Sequence, residues 1–278
     1  MRATHITGTT RLYAIIGDPI IQVRSPEVFT ERFAAAGANA VLVPMHVPAD
    51  RFDDVVRGLM GLGNLDGVLV TVPFKARMLP FASRLGPAAQ IVGAINAVRK
   101  ESDGSWTGDM FDGAGFVRAN ERRGHEIRGR RVLLFGAGGA GSAIACALAS
   151  AGVRSIAIVD VDSARADSLA RTVRGAFPAC DSTVVESKPD GVDMIVNASP
   201  VGMRSGDGMP GEIGFLDSGT LVGDVIVSTA PTPIIEHAVR HGCSHVTGCD
   251  MLAGQVDAVV HFFAPASSAA TAGGRPAA

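Results

Sequence analysis

The sequence lacks the features that mark membrane proteins, disulfide scaffolds and nucleic-acid binders. No window has the about 18 uninterrupted apolar residues of a spanning helix, and residues 1–5 lack the apolar run of a signal peptide. The four cysteines form no Cys-x-x-Cys pair, which argues against a disulfide framework or a zinc ribbon. The formal net charge of −2 gives no attraction for nucleic acid or an anionic membrane. We therefore expect a soluble, cytoplasmic protein with no nucleic-acid or membrane partner.

Tyrosine and lysine are both scarce. The single tyrosine, Tyr13, is followed four positions later by Gly17, so the Tyr-x-x-x-Lys signature of short-chain dehydrogenases is absent. Only three of the 25 basic residues are lysines, and one of them, Lys75, ends the apolar run 68–75. Arginine keeps its proton in a protein, whereas a partly buried lysine can take part in proton transfer. Lys75 is therefore a candidate acid–base group; the alternative is a strand-end lysine that extends into water.

Short β-type runs alternate with helical stretches along the whole chain, which is typical of an α/β fold. We predict two α/β units with bounds at residues 1–112 and 113–247. We expect a last helix over 248–264 to pack back on the first unit, and residues 265–278 to form a disordered tail. Strands are predicted at 13–17, 40–47, 66–72, 132–135, 155–160, 182–186, 194–197 and 221–227. Helices are predicted from Ser25, over 50–62 and over 75–85, and a polar hairpin over 94–109.

Residues 132–143 have the pattern of a strand, a glycine-rich turn and a helix start. The turn fits G-x-G-x-x-G at Gly136, Gly138 and Gly141. These glycines let the backbone approach a pyrophosphate, and the helix N-terminus supplies free N–H groups. The next strand ends about twenty residues on, at Asp160, as the dinucleotide-binding pattern requires. We therefore predict a Rossmann-type dinucleotide-binding domain, with Ala137, Gly139 and Ala140 also facing the cofactor.

Asp160 also bears on the cofactor's identity. A carboxylate at this strand end can accept hydrogen bonds from the ribose hydroxyls of NAD and would repel the extra phosphate of NADP. Asp162 adds negative charge, and Arg165 is the only nearby cation. NAD is therefore favoured, with NADP possible. A later loop, 197–203, follows another strand and should lie at the same carboxyl edge of the sheet.

Other chemistries find little support in the sequence. His237, His241 and His245 are spaced like helical metal ligands, but Gly242 interrupts the helix, so we predict no metal site. No G-x-S-x-G elbow for a serine hydrolase is present. The remaining reaction class is hydride transfer assisted by a lysine–aspartate acid–base pair. Asp112 is the best aspartate for that pair, since it ends the first predicted unit.

From Tyr13 to about Phe263, the chain resembles the shikimate and quinate dehydrogenases. The resemblance rests on ordered motifs: Gly17-Asp18-Pro19-Ile20 with Ser25-Pro26, Val70-Thr71-Val72-Pro73-Phe74-Lys75, Gly93-Ala94-Ile95-Asn96, Gly108-Asp109 with Asp112-Gly113, the glycine loop, Asn197-Ala198-Ser199-Pro200-Val201-Gly202-Met203, Thr232-Pro233, and Gly248 through Met251-Leu252 to Gln255.

The resemblance implies a fold, an activity and a set of roles. It implies an N-terminal substrate domain with a mostly parallel sheet, a Rossmann-type domain, and an active site in the cleft between them. A hydride would pass between NAD(P) and a ring hydroxyl of shikimate or a quinate-like acid, in a monomer or homodimer. Lys75 and Asp112 would be the catalytic pair. The substrate-binding residues would be Ser25 for the carboxylate and Thr71, Asn96, Asp112 and Gln255 for the hydroxyls. The cofactor-binding residues would be Gly136, Ala137, Gly138, Gly139, Ala140, Gly141, Asp160, Asn197, Ser199, Val201, Met203 and Gly248.

Four positions that are usually polar in the family are apolar here: Val23, Leu69, Met110 and Val227. A site that has lost hydroxyl partners should bind a polyol acid less well. Arg24 could replace one lost hydroxyl or simply face water. Two alternatives therefore stay open: a related enzyme with a less polar substrate, and a catalytically weak ligand sensor.

Overall fold

The computed structural model describes residues 6–264. Within them strands and helices alternate, which confirms the predicted α/β fold class. The strands are β1 Arg11–Gly17, β2 Ala40–His46, β3 Leu65–Val70, β4 Arg84–Leu85, β5 Ala97–Lys100, β6 Trp106–Asp109, β7 Arg131–Phe135, β8 Ser155–Val159, β9 Asp181–Val184, β10 Met194–Asn197, β11 Leu221–Asp224 and β12 His245–Val246. The α-helices are α1 Ser25–Ala35, α2 Phe52–Met60, α3 Pro87–Val92, α4 Asp112–Arg122, α5 Gly139–Ser150, α6 Ser163–Ala176, α7 Pro233–Arg240 and α8 Gly248–Phe263.

The chain divides into two compact units. Of the described residues, the first unit comprises those up to Gly86, Ile95–Asp109 and those from Val256 onward, and the second comprises Pro87–Ala94 and Met110–Gln255. The predicted bounds were 1–112, 113–247 and 248–264. The structure instead assigns Pro87–Ala94, Met110 to Asp112 and the first half of α8 to the second unit, where α4 and that half of α8 pack closely together. The predicted tail, 265–278, lies outside the described residues.

The first unit contains a mixed six-stranded sheet of order β2-β1-β3-β5-β6-β4. β1 runs parallel to β2 and β3, whereas β5 runs antiparallel to β3 and β6. The centre of β1 is a continuous buried apolar run, as expected for a parallel strand covered on both faces. α1 begins at Ser25, with Pro26 in its first turn, where a missing N–H costs nothing.

The predicted helix over 75–85 is wrong. Residues there form turns, a short 3-10 helix Leu79–Phe81 and strand β4. Phe74 and Met78 are fully buried and have the i, i+4 spacing of a helix face, which explains the prediction. Pro80 lacks an N–H and would clash with the preceding turn, so the helix does not continue.

The last turns of α8 pack in the first unit. The Tyr13 ring lies 4.6 Å from the Phe33 ring and 4.8 Å from that of Phe263, centroid to centroid. Gly67 makes room for Phe263, since a Cβ there would lie 2.6 Å from the Phe263 ring. Asp257 on the same helix pairs with Arg32 of α1 at 2.9 Å.

The second unit contains a parallel six-stranded sheet of order β12-β11-β10-β7-β8-β9. All carboxyl ends of its strands meet at one edge, where the glycine loop and the loop 197–203 both emerge. Helix α5 packs beneath this edge and is buried on most of its surface, which suits its small apolar side chains. Within the described part of the chain no helix is both long and apolar enough to cross a bilayer.

Candidate dinucleotide and substrate sites

The glycine loop has the geometry that the sequence predicts. Gly136 has φ +97°, a left-handed conformation that favours glycine. A Cβ at Gly136 would lie 2.8 Å from the backbone of Ala198 and Ser199, and a Cβ at Gly141 would lie under 3.0 Å from the Gly136 carbonyl. A Cβ at Gly138, by contrast, would meet no atom within 4 Å. The loop is therefore packed on one side and open at Gly138, which fits the approach of a pyrophosphate to the N-terminus of α5.

Asp160 follows β8 and anchors this loop. Its Oδ2 accepts a hydrogen bond from the Ala137 backbone N–H at 2.6 Å, and its Oδ1 accepts one from the Asp162 N–H at 2.8 Å. The side chain is 8% exposed. Each carboxylate oxygen has a second lone pair, so Asp160 can still accept a ribose hydroxyl.

The charges beside Asp160 are unbalanced. Arg165 lies 3.9 Å from Asp160 but donates from Nε to Asp162 at 2.9 Å. Asp162 also caps α6 by accepting the Arg165 backbone N–H, and these bonds lower the pKa of Asp162. Two carboxylates thus share one guanidinium at the strand end.

The loop after β10 is built on Asn197, which is fully buried. Its Oδ1 accepts hydrogen bonds from the Ser199 N–H at 3.1 Å and the Ser199 hydroxyl at 2.7 Å. Its Nδ2 donates to the Val201 carbonyl at 2.9 Å. The Ala198 N–H donates to the Phe135 carbonyl at 2.7 Å, which places this loop against the glycine loop. The structure therefore brings the two predicted cofactor loops together; Met203 ends the second of them.

Asp224, which sequence reasoning missed, lies at the same sheet edge. It ends β11, is 1% exposed, and its Oδ1 accepts hydrogen bonds from Asn197 Nδ2 and the Ile226 N–H, both at 3.1 Å. The hydroxyl of Thr232 donates to its Oδ2. Burial raises the pKa of Asp224 to about 6, against the opposing effect of these hydrogen bonds. The available sequence signal was a carboxylate that closes an apolar strand.

Gly248, the first residue of α8, lies against the chain after β11. A Cβ there would lie under 3.0 Å from the backbone of Val225 and Ile226. Glycine is thus required for this close approach, and its role in the cofactor site stays a prediction.

Asp112 and Gln255 both belong to the second unit. Asp112 is the first residue of α4 and is 4% exposed. A Cβ at Gly115 would lie 2.8 Å from the Gln255 Cβ, and one at Gly254 would lie under 3.0 Å from the Gly115 carbonyl. Helices α4 and α8 therefore approach through their glycines.

In the first unit the structure brings together Thr71, Lys75 and Asn96. Thr71 directly follows β3, and Asn96 directly precedes β5, which pairs with β3. The Val70 N–H donates to the Asn96 carbonyl at 2.8 Å, and the Ile95 N–H donates to the Lys75 carbonyl at 2.9 Å. Lys75 is half-buried. Two short polar residues and one lysine thus lie near one end of these strands.

Ser25 lies in the first turn of α1 and is 8% exposed. Its neighbour Arg24 pairs with Glu27 on the surface. Of the four apolar replacements, Leu69 is 6% and Met110 3% exposed, whereas Val23 and Val227 are half-buried. Leu69 lies in the sheet between Ile15 and Ala97, so it has a packing role whatever the substrate.

The histidine cluster has ordinary local partners. The His237 ring lies 4.2 Å from the His241 ring, and His237 Nε2 hydrogen-bonds to the Gly214 carbonyl at 3.0 Å. His245 lies on β12 rather than on the same helix. Over residues 6–264, no group of three His, Cys, Asp or Glu side chains has the arrangement to hold a metal ion.

Two family models match the chain. The shikimate dehydrogenase substrate binding domain matches residues 15–98, and the ThiF family matches residues 115–174. The second range contains the glycine loop and Asp160. The two matches thus fall separately on the first predicted domain and on the dinucleotide-binding domain.

Several relatives match the chain over most of its length. A shikimate dehydrogenase (NADP(+)) from Rubrobacter xylanophilus is 38% identical over 259 residues, covering 91% of this chain and 90% of the relative. The crystal structure of shikimate 5-dehydrogenase from Listeria monocytogenes, in complex with shikimate and NAD, has a TM-score of 0.81 at 30% identity and covers 93% of each chain. A 5-ketofructose reductase from a Gluconobacter strain has a TM-score of 0.78 at 27% identity, covering 91% of this chain and 92% of the other. The chain therefore belongs to the shikimate/quinate dehydrogenase family, as its motifs predicted.

Proposed function

We propose that this protein is an NAD(P)-dependent dehydrogenase that acts on a ring hydroxyl of shikimate or of a closely related, quinate-like cyclic hydroxy acid. The observation that carries this proposal is the 38% identity to a curated shikimate dehydrogenase over 91% of the chain. The packed glycine loop, open at Gly138, supports a dinucleotide in the second unit. That cofactor supplies the hydride acceptor or donor.

The residues of the chain supply proton transfer and substrate orientation. In the reducing direction Lys75 Nζ donates a proton to the carbonyl oxygen as the hydride arrives at the same carbon, and in the oxidising direction both transfers are reversed; Asp112 is the second catalytic residue. Ser25 binds the substrate carboxylate, and Thr71, Asn96 and Gln255 bind ring hydroxyls. The placement of Thr71, Lys75 and Asn96 at adjoining ends of β3 and β5 supports these roles. Short polar side chains that converge on one point suit a polyol ligand.

Within the pair of nicotinamide dinucleotides we propose a preference for NAD. Asp160 and Asp162 place two carboxylates beside one guanidinium at the end of β8. An added ribose phosphate would meet net negative charge there, whereas a ribose diol can donate to Asp160. Relatives are named for both NADP(+) and NAD, so the preference rests on these side chains alone.

The direct test is reduction of NAD and NADP with a panel of cyclic hydroxy acids that includes shikimate and quinate. The expected result is turnover with at least one acid and a higher kcat/KM with NAD. Absence of turnover with every acid, at high concentration and with both cofactors, would overturn the proposal. Tight binding without turnover would instead favour the ligand sensor.

A second candidate keeps the chemistry and changes the substrate to a less hydroxylated ring acid. Val23 and Val227 are half-buried apolar residues at positions that are usually polar in the family. The likeness to a 5-ketofructose reductase supports a variable substrate on this fold. A thermal-shift comparison distinguishes the candidates, because the better ligand stabilises the folded state more at equal concentration.

We also propose a cytoplasmic location and a monomer or homodimer.

A further inference from the structure

Asp224 is buried in a way that needs an explanation. It is 1% exposed, and the hydrogen bonds it accepts come from neutral donors: Asn197 Nδ2, the Ile226 N–H and the Thr232 hydroxyl. Burying a carboxylate is costly, and neutral donors offset that cost only in part. A side chain at such a position is expected to be retained for what it organises.

The position of Asp224 in the sheet shows what it organises. β10 and β11 are parallel neighbours, and Asn197 and Asp224 are partners at their last positions. Asn197 holds the loop that follows β10, through Ser199 and Val201. Asp224 holds the chain that follows β11, through Ile226 and Thr232. The bond between Asn197 and Asp224 therefore joins the supports of two successive loops.

Both loops lie against elements that the proposed function assigns to the cofactor. The backbone of Ala198 and Ser199 contacts Gly136 of the glycine loop, and Ile226 contacts Gly248 at the start of α8. A shift in either loop would therefore move a wall of the dinucleotide site.

We propose that Asp224, held by Thr232, is a positioning residue for dinucleotide binding: it fixes loops 198–203 and 225–232 against the glycine loop and the start of α8. This inference rests on the proposed function, since the loops matter in this way only if a dinucleotide binds. Asp224 itself acts through Asn197 and Ile226 and is not a catalytic residue.

Thr232 offers the sharpest test. It precedes α7, but its side chain makes no capping hydrogen bond to that helix, so its hydroxyl serves Asp224. Thr232→Val keeps the shape and removes the donor, which leaves a buried carboxylate oxygen short of a partner. Thr232→Ser keeps the donor and is the matched control.

Calorimetric titration with NAD and NADP measures the effect. We expect Thr232→Val to weaken binding of the preferred dinucleotide about tenfold, and Thr232→Ser to change it less than about twofold. The KM for the hydroxy acid should not change in either variant. Amide hydrogen exchange in the cofactor-free protein should be about tenfold faster at Val201 and Ile226 in Thr232→Val only. Thr232→Ala replaces Thr232→Val if the latter does not fold, with the same expected loss.

The control for a general loss of stability is Val173→Ala, which creates a cavity at a fully buried position of α6. It should lower the unfolding temperature and leave dinucleotide affinity unchanged. If Thr232→Val behaves in the same way, the positioning role is overturned while the proposed function stands. If the wild-type protein binds neither NAD nor NADP, the proposed function is overturned, and this role with it.

Discussion

Asp160 Oδ2 accepts a hydrogen bond from the Ala137 backbone N–H at 2.6 Å, so the carboxylate expected to meet the ribose also anchors the glycine loop. Substituting Asp160 would therefore disturb the loop and the cofactor contact together. A clean test of cofactor preference must change the charge beside it and leave the anchor in place. Asp162 meets that requirement.

Asp162→Asn should raise the ratio of kcat/KM for NADP to that for NAD by about five- to tenfold, because it removes one like charge near the extra phosphate. Asparagine caps a helix as well as aspartate, so α6 should keep its start. The variant also frees Arg165 from its 2.9 Å ion pair. Steady-state kinetics with both cofactors measures the ratio. Asp167→Asn, on the exposed face of α6, removes the same charge and should leave the ratio unchanged; an equal effect there would contradict the prediction.

Lys75→Arg should lower kcat by roughly 10²- to 10⁴-fold, because arginine keeps the charge but cannot exchange its proton. Dinucleotide affinity should not change, since Lys75 is not among the proposed cofactor-binding residues. Lys100→Arg is the control: Lys100 lies in the same unit, and its Nζ donates to the Leu62 carbonyl at 3.0 Å. Near-normal turnover in Lys75→Arg would show that Lys75 only provides charge.

Gly141→Ala should abolish dinucleotide binding, because the new Cβ would overlap the carbonyl of Gly136, which cannot move without moving the loop. Gly175→Ala is the matched control within the same unit. A Cβ at Gly175 would meet nothing within 4 Å, and alanine should stabilise α6 by up to about 1 kcal/mol. Calorimetric titration and thermal unfolding separate the two effects. Normal binding by a folded Gly141→Ala protein would refute the assignment of the loop.

Asp224 should make stability fall as the pH rises. Its pKa of about 6 in the folded state exceeds the ordinary 3.8, so its contribution is complete below about pH 4 and is lost as the pH passes 6. A pKa difference of about two units corresponds to about 3 kcal/mol of unfolding free energy. Asp224→Asn should remove this slope.

The difference between wild type and Asp224→Asn is the quantity to measure, by urea unfolding at several pH values. Burial lowers the pKa of His125, which gives stability an opposite dependence just below pH 6.5. Hydrogen bonds from the Arg204 and Gly202 backbone lower the pKa of Asp207, whose contribution changes only below about pH 4. The contributions of His125 and Asp207 to the pH dependence are the same in both proteins and cancel in the difference. An equal slope in the two proteins would show that Asp224 titrates normally.

Sequence patterns predicted the features that depend on neighbours along the chain. The strand Met194–Asn197 has the predicted bounds, and the glycine loop has its predicted form, because apolar runs and glycine spacing act locally. The helix predicted over 75–85 failed because Phe74 and Met78 share a buried face without a continuous helix. The spacing of apolar residues does not by itself distinguish a continuous helix from a series of turns, although Pro80 argued against the helix.

Features that depend on contacts between distant segments were missed or displaced. Asp224 was not singled out, because its partners Asn197 and Thr232 come near it only when β10 and β11 pair. The bounds of the units were displaced because the close packing of α4 against the first half of α8 is invisible in composition. The site residues carried over from the family remain predictions that the substitutions above test.

Gly113, Gly115 and Gly254 fix how near α4 comes to its neighbouring helices, and α4 starts with Asp112 while α8 carries Gln255. An alanine at any of the three would wedge those helices apart by roughly the width of a methyl group. A deep mutational scan scored on activity should therefore find these glycines as intolerant as Lys75. That intolerance would report a distance between two backbones and no chemical role of a side chain.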